Sequence, residues 1–323
     1  MSIMGYGARQ ADQSEWSLGS SGSILDNIGN TPLFDLKRIS EEVAPVRIMA
    51  KAEWYNPGGS VKDRPALNMI RDGIQSGQLT GGKVILDATS GNTGIAYAMI
   101  GATMGYRVCL CVPSNISQVR RQILEAHGAE LVFTNPQHGS DGAIEEAIRL
   151  YEESPDLYFY PDQYNNPANW QAHYNGTAVE LIEQTGGEIT HFITGLGTSG
   201  TFVGTGRRLK EFNPKVQLIS FQPDSPMHGL EGLKHLPSSL VPSIYDSNLA
   251  DRNIWVRTED AYSMVRRLAR EEGLLIGLSA GAGMVAALET ARGLSSGVIV
   301  VVFCDSGHKY LDMDFWKDRD EGD

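Results

Sequence analysis

Short apolar segments alternate with longer segments of helical periodicity through much of this chain, and this alternation restricts its fold more than any other feature. The strand-like segments are residues 83–88, 107–112 and 130–133, and the helical ones are residues 93–104, 117–127 and 141–152. Strands that alternate with helices form parallel β-α-β units in a doubly wound sheet. A chain of 323 residues is long enough for two domains or lobes. We therefore predict an α/β protein with two doubly wound, mostly parallel-sheet lobes.

The charge balance narrows the class of ligand. The chain carries a formal net charge of −12, with 20% charged and 41% hydrophobic residues. Nucleic acids and anionic membranes both require a positive protein surface, and no apolar run approaches the roughly 18 residues of a membrane span. We therefore expect a small-molecule ligand and neither a nucleic acid nor a membrane as a partner.

The cysteines and the N-terminal residues indicate a cytoplasmic protein. Cys109, Cys111 and Cys304 lie in or beside apolar segments, as reduced core thiols do. One residue separates Cys109 from Cys111, so the pair lacks the two-residue gap of a zinc or redox motif, and no metal site is expected. Residues 1–23 are polar and lack the apolar core of a signal peptide, so we predict a loosely ordered arm.

A lysine segment follows a predicted strand at residues 46–53. Residues 56–64 read Asn-Pro-Gly-Gly-Ser-Val-Lys-Asp-Arg, and Ser60 and Asp63 predict a capped helix start. Lys62 then lies in the first turn, where free backbone N–H groups and the helix dipole disfavour an ammonium. A neutral amine is what Schiff-base chemistry requires. On these residues alone, Lys62 could equally be a solvated cation at a helix start.

Two turns between a strand and a helix offer hydrogen-bond donors for anions. Residues 89–94 read Thr-Ser-Gly-Asn-Thr-Gly, and residues 195–201 read Gly-Leu-Gly-Thr-Ser-Gly-Thr, between a strand at 191–194 and a helix that includes 207–211. Backbone N–H groups and hydroxyls at a helix N-terminus bind a carboxylate or a phosphate. The second turn lacks the lysine of a P-loop and the spacing of a Rossmann motif. The first could also be an ordinary capped turn.

Four further short segments carry recognisable patterns, in addition to the lysine segment and the two turns. They are Ile-Gly-Asn-Thr-Pro-Leu at residues 28–33, Asp-Gln-Tyr-Asn-Asn-Pro-Ala-Asn at 162–169, Gly-Leu-Ser-Ala-Gly at 277–281 after a predicted helix at 259–272, and the end of the last strand at 303–308. Together with the lysine segment and both turns, they resemble the cysteine synthase and cystathionine β-synthase family. That family has the tryptophan-synthase-like fold, fold type II, of pyridoxal phosphate enzymes. The resemblance covers nearly the whole chain.

The resemblance implies a pyridoxal 5'-phosphate cofactor in the cleft between the two lobes. It implies that Lys62 holds the cofactor and is the catalytic base, that Asn92 contacts the ring hydroxyl and that Ser279 faces the pyridine nitrogen. The implied phosphate-binding residues are Gly197, Thr198, Ser199, Gly200 and Thr201. The implied residues for the substrate carboxylate are Thr89, Ser90, Gly91, Asn92, Thr93 and Gln163. Ser199 replaces a glycine of the family's run, and Ala280 replaces a second serine or a cysteine.

The resemblance also implies how the chain is divided and assembled. Residues 45–164 are expected to form the N-terminal lobe, with a mobile part at about 107–152. Residues 24–44 and 165–323 are expected to form the C-terminal lobe. The family is usually homodimeric, and serine acetyltransferase is an expected further partner.

The implied reaction replaces the activated hydroxyl of O-acetyl-L-serine or O-phospho-L-serine by sulfide, through an α-aminoacrylate, to give L-cysteine. Cystathionine β-synthase, which joins serine and homocysteine on the same core, is an alternative. Another is a catalytically weak binding partner of serine acetyltransferase. A dehydratase is less favoured, because Asp-Arg follows the lysine and the second turn lacks a glycine run.

The sequence leaves the donor open, and one residue bears on it. Lys234 lies in a glycine-flexed segment, residues 228–235. Its place is comparable to that of an arginine in members of the family that accept O-phosphoserine. We predict that Lys234 faces the leaving group; the alternative is a lysine on a surface loop.

Overall fold

The computed structural model describes residues 22–89 and 91–316, in which strands and helices alternate along the chain. The strands are β1 (Leu33–Asp35), β2 (Arg47–Ala52), β3 (Val84–Ala88), β4 (Arg107–Pro113), β5 (Glu130–Thr134), β6 (Tyr158–Phe159), β7 (His191–Gly195), β8 (Gln217–Pro223), β9 (Arg252–Val256) and β10 (Val298–Phe303). The helices are α1 (Asp63–Gln75), α2 (Asn92–Met104), α3 (Gln118–Ala126), α4 (Gly139–Glu153), α5 (Pro167–Ala172), α6 (Ala178–Gln184), α7 (Gly200–Phe212), α8 (Thr258–Glu271) and α9 (Leu278–Ala291). Residues 1–21 of the predicted arm lie outside the described residues.

Within the described residues, the strands form two sheets that are almost entirely parallel. One sheet has the order β5-β4-β3-β6, with every pairing parallel. The other has the order β1-β2-β10-β7-β8-β9, in which β1 alone runs antiparallel to its neighbour. The prediction of two mostly parallel α/β lobes is therefore confirmed.

Strand β2 corrects the predicted boundary between the lobes. The family resemblance implies that residues 45–52 belong to the N-terminal lobe, but β2 pairs in parallel with β10, from Arg47 opposite Val298 to Ala52 opposite Phe303. This part of the predicted division is therefore wrong. Pairing between segments near opposite ends of the chain depends on tertiary packing, which a strand pattern does not encode. The rest of the division, with its mobile part, stays a prediction.

Both sheets are covered by helices, so their central strands are buried on both faces. All residues of β3 are buried, and so are all but the first of β10. Helices α2 and α9 are also buried on nearly all sides, and close packing holds their first residues in fixed positions. None of the described helices is long and apolar enough to cross a membrane.

Several helices begin where the chain leaves a strand. Helix α2 starts soon after β3, and α7 soon after β7; ligands of open parallel sheets bind at this end of the strands. The starts of α1 and α9 are tied to the end of β10. Val61 N donates to Cys304 O at 2.8 Å, and Gly277 N donates to Asp305 O at 2.9 Å. The N-termini of α1, α2, α7 and α9 thus lie around a single cleft.

Candidate active site

The predicted site residues meet in one cleft. Its larger, outer part is a cavity of about 500 Å³. Predicted residues that line the outer part are Lys62, Thr89, Gly91, Asn92, Thr93, Gln163, Gly197, Thr198 and Lys234. A smaller inner part adds Ser199, Thr201 and Ser279. Gly200 is the first residue of α7, and Ser90 lies outside the described residues.

The lysine loop, residues 56–62, places Lys62 directly before α1. Its capping differs from the predicted pattern. Ser60 Oγ accepts a hydrogen bond from Lys62 N at 3.2 Å, whereas Asp63 Oδ2 accepts one from Gly58 N at 2.5 Å. The predicted pairing of Ser60 with Asp63 is wrong, because the carboxyl group folds back over the glycine pair. Gly58 must lack a side chain there, since a Cβ would lie 2.6 Å from Asp63 Oδ1.

The glycine-rich turn, residues 195–201, has unused hydrogen-bonding capacity. Ser199 has a left-handed φ of 68°, and its Oγ is buried with no hydrogen-bond partner among the described residues. Gly197 admits no side chain, because a Cβ would lie 2.3 Å from Gly232 O. With the free N–H groups at the start of α7, this turn can bind a phosphate.

Thr93 and Gln163 form a second polar wall of the cleft. Thr93 Oγ1 donates to Gln163 Oε1 at 2.9 Å, and both residues are buried. Because the Gln163 side-chain oxygen accepts this bond, its amide N–H groups remain for a ligand. Asn169 Nδ2 donates to Gln163 O at 2.6 Å and lies 3.2 Å from Thr198 Oγ1. Asn169, which the sequence indicated only as part of a motif, thus joins the two walls.

Ser279 occupies the inner end of the cleft. It is the second residue of α9 and lines the inner part beside Lys62 and Cys304. Burial raises the pKa of the Cys304 thiol to about 11, although the hydrogen bond with Ser279 opposes this. A hydroxyl and a protonated thiol therefore lie at this end, and neither carries a charge at neutral pH.

Lys234 lies in the wall of the cleft. Its Nζ is 4.7 Å from the centroid of the Tyr164 ring. Burial lowers the pKa of Lys234, and Asp141 partly opposes this. Lys234 N donates to Leu196 O at 2.8 Å, so its segment is fixed to the glycine-rich turn. The outer cavity thereby contains a second amine besides that of Lys62.

Three charged residues that line the outer cavity, Arg120, Asp141 and Glu231, were not predicted from the sequence. Arg120 of α3 forms an ion pair with Glu231, and both line the outer cavity. The Arg120 guanidinium also lies 5.4 Å from the centroid of the Tyr310 ring. The pair joins α3 to the segment that carries Lys234. No local pattern reveals it, because 111 positions separate the two residues in the chain.

A buried ion network lies behind the lysine loop; its members are Lys51, Glu53, Arg64 and Glu180. Arg64 donates to Glu53 from Nε at 2.7 Å and to Glu180 from Nη1 at 2.6 Å. Lys51 Nζ donates to Glu180 Oε2 at 2.6 Å. Since Arg64 follows Lys62 by two residues, the network anchors the start of α1. The sequence motif contains Arg64 but indicates none of its partners.

Known sequences resemble this chain over most of its length. A family model described as "Pyridoxal-phosphate dependent enzyme" matches residues 24–305. A cysteine synthase of Aquifex aeolicus (strain VF5) is 51% identical over 304 residues, which cover 92% of this chain and 93% of that protein.

Solved structures resemble it as well. A cysteine synthase (OASS) from Entamoeba histolytica has a TM-score of 0.89 and 36% identity, covering 98% of this chain and 96% of that chain. An O-acetylserine dependent cystathionine β-synthase from Helicobacter pylori has a TM-score of 0.82 and 35% identity, covering 91% of this chain and 98% of that chain. The similarity therefore extends over both sheets.

Proposed function

The chain belongs to the family of pyridoxal-phosphate dependent enzymes, and from this premise we propose that it is a cysteine synthase. The reaction replaces the activated β-hydroxyl of O-acetyl-L-serine or O-phospho-L-serine by sulfide and yields L-cysteine. The observation that carries the proposal is the cleft, where an amine, a glycine-rich turn that can bind an anion and a wall of polar donors lie together. The names of similar proteins support the same reaction.

The residues of the cleft fit pyridoxal phosphate. The unpaired hydroxyl of Ser199 and the free N–H groups at the start of α7 suit its phosphate. Lys62 would hold the aldehyde carbon, Asn92 the ring hydroxyl and Ser279 the pyridine nitrogen. When bound, the cofactor supplies an electron sink that acidifies the Cα–H bond of an amino acid.

The chain's own residues supply the proton transfer and the substrate contacts. The amine of Lys62 accepts the Cα proton. The amide N–H groups of Gln163 and the turn at residues 89–93 bind the substrate carboxylate and exclude water when they close over it. The hydroxyl of Ser279 does not stabilise a protonated pyridine nitrogen as a carboxylate would. That property suits β-replacement better than transamination.

Lys234 is the residue proposed to assist a phosphate leaving group, since its ammonium lines the outer cavity. Lys234→Ala is expected to lower kcat/KM for O-phosphoserine by roughly tenfold, the effect of one charged hydrogen bond. The value for O-acetylserine should change much less. Lys215→Ala, at an exposed lysine of the same lobe, is the control. Equal losses with both donors would contradict this role.

The first experiment is a titration of the holoenzyme's visible absorption spectrum with each donor separately, followed by sulfide. A spectral change with at least one donor and formation of L-cysteine are expected. A spectral change at a far lower concentration of O-phosphoserine than of O-acetylserine would favour the proposed role of Lys234. The reverse preference would contradict that role. No change with either donor would overturn the proposed reaction.

A second candidate reaction uses homocysteine as the thiol. It is favoured by the similarity to the Helicobacter pylori protein, whose name describes an O-acetylserine dependent cystathionine β-synthase. The same assay with homocysteine in place of sulfide separates the two reactions. A higher kcat/KM with homocysteine would replace the first proposal. Turnover of no donor would instead favour a catalytically weak binding partner.

Assembly and location are proposed from the family resemblance. The protein is proposed to be a cytoplasmic homodimer, with serine acetyltransferase as a further partner. Sedimentation equilibrium of the holoenzyme is expected to give the mass of two chains, and the mass of one chain would contradict the dimer. Co-sedimentation with serine acetyltransferase tests the second partner.

A further inference from the structure

The segment after β10, residues 304–310, ties together loops that line the cleft, and it is called the closing segment below. Its Cys304 carbonyl accepts from Val61 N in the lysine loop at 2.8 Å. Its Asp305 carbonyl accepts from Gly277 N, directly before α9, at 2.9 Å. The closing segment thus sets the position of the lysine loop relative to the start of α9.

Asp305 and Lys309 of the closing segment both hold the side chain of Asn92. Asn92 Nδ2 donates to Asp305 Oδ2 at 2.8 Å, and Lys309 Nζ donates to Asn92 Oδ1 at 2.6 Å. An ammonium has donors only, so it selects the amide oxygen, and the accepting carboxyl oxygen selects the amide nitrogen. The two contacts together admit one orientation of the amide.

These two holding residues are themselves fixed. Asp305 is buried, and its Oδ2 also accepts from the Tyr310 hydroxyl at 2.7 Å. Gly277 packs against it so closely that a Cβ there would lie 1.9 Å from Asp305 Oδ1. Lys309 Nζ also lies 3.5 Å from Gly59 O in the lysine loop. Neither side chain can move without breaking contacts to the loops that carry the site.

The held amide keeps one N–H group for a ligand. An amide nitrogen carries two hydrogens, and Asp305 accepts one of them. Asn92 is the first residue of α2 and, with Lys62, lines both parts of the cleft. The remaining N–H group is therefore available to a ligand in the cleft.

We propose that Asp305 and Lys309 are positioning residues, which hold the Asn92 amide so that its remaining N–H group binds the ring hydroxyl of pyridoxal phosphate. Both act through Asn92, and neither is among the residues that line the two parts of the cleft. The inference rests on the proposed function, because that function puts the cofactor ring beside Asn92.

Holoenzyme variants test the two residues by cofactor retention, without any substrate. Asp305→Asn lets the new amide donate to Asn92 and permits a flip, and Lys309→Met removes the ammonium. Each is expected to lose pyridoxal phosphate roughly five- to tenfold faster on dialysis, as for one lost hydrogen bond, with a shifted visible absorption maximum. Lys309→Arg keeps a cationic donor and should retain the cofactor. His308→Ala, at the exposed neighbour in the same turn, is the control.

The same substitutions in an Asn92→Ala background separate positioning from general destabilisation. Residues that act through Asn92 should cause no further cofactor loss there. Additive loss would overturn the proposal, as would wild-type retention and spectrum in both Asp305→Asn and Lys309→Met. If Asp305→Asn does not fold, Lys309→Met alone tests the proposal. A wild-type protein that takes up no pyridoxal phosphate would overturn the proposed function itself, and this inference with it, before any variant is made.

Discussion

The buried ion network and the cleft are both rich in polar side chains, yet they differ in how these are paired. In the network, Arg64 reaches both carboxylates, and Glu53 Oε1 also accepts from Thr31 Oγ1 at 2.8 Å. In the cleft, Ser199 Oγ is buried without a partner among the described residues, and Gln163 keeps its N–H groups free. Paired groups specify a structure, whereas an unpaired buried group costs free energy until a ligand satisfies it. Pairing, more than polarity, separates the two regions.

Two buried carboxyl groups show this contrast in their protonation. Burial alone would raise the pKa of Glu180, but hydrogen bonds and charges from Arg64 and Lys51 lower it to about 2. Burial raises the pKa of Asp63 to about 7, and its Oδ1 has no hydrogen-bond partner in the described part of the chain. Arg64 and Lys51 thus keep Glu180 ionised, whereas the pKa of Asp63, next to Lys62, lies near 7.

The largest effects are expected when one lysine is replaced in each region, Lys62 in the cleft and Lys51 in the network. Lys62→Ala is expected to lower kcat by about 10³-fold, because the proposed catalytic base is lost, with little change in the melting temperature. Lys51→Ala should do the reverse and reduce stability first, since Lys51 is fully buried and paired with Glu180. Steady-state kinetics and thermal melting of both holoenzymes measure this. Activity above a tenth of wild type in Lys62→Ala would contradict the assignment.

Truncation of Glu180 tests the network side. Glu180→Ala leaves Arg64 and Lys51 buried without this carboxylate, which is expected to lower the free energy of unfolding by about 3–5 kcal/mol. Urea denaturation of the holoenzyme measures the change. Glu183→Ala, at an exposed position of the same helix, should cost less than about 0.5 kcal/mol. Similar losses in the two variants would mean that the network contributes no more than a surface charge.

The lowered pKa of Glu180 predicts how the free energy of unfolding depends on pH. The pKa of Glu180 is about 2 in the folded protein, below its ordinary value of 4.5. A lowered pKa gives a contribution that is complete above about pH 4.5 and is lost as the pH falls through about 2. The difference in unfolding free energy between wild type and Glu180→Gln should therefore shrink over this window. A constant difference would show that Glu180 is not held ionised by its partners.

A smaller effect on stability and cofactor retention is expected at Ser199, whose hydroxyl is unpaired among the described residues of the cleft. Ser199 has a left-handed φ of 68°, which costs a residue other than glycine about 1 kcal/mol. Ser199→Gly should raise the melting temperature of the cofactor-free protein by a few degrees. It should also speed cofactor loss by roughly three- to tenfold, because a hydroxyl donor is removed. Unchanged retention would mean that this hydroxyl does not bind the phosphate.

Elements near the cleft were predictable where the signal is local. The predicted helix at residues 93–104 is α2, Asn92–Met104, and the predicted strand at 107–112 is β4, Arg107–Pro113. Apolar periodicity and glycine act over a few residues, so they can be recognised without the fold. The capping of Lys62 was wrong because Asp63 has two acceptable partners within five residues, and only the loop conformation selects Gly58.

Local patterns were enough to predict the strands and helices from β3 to α4 and the turns that carry Lys62, Asn92, Ser199 and Ser279. The folded chain was needed to see that β2 joins β10, that Glu180 pairs with Arg64, and that Asp305 and Lys309 hydrogen-bond to the Asn92 amide. The two groups of features differ in the distance along the chain over which they act. Helix starts and glycine turns depend on neighbours along the chain, whereas strand pairing and buried ion pairs depend on which distant segments pack together.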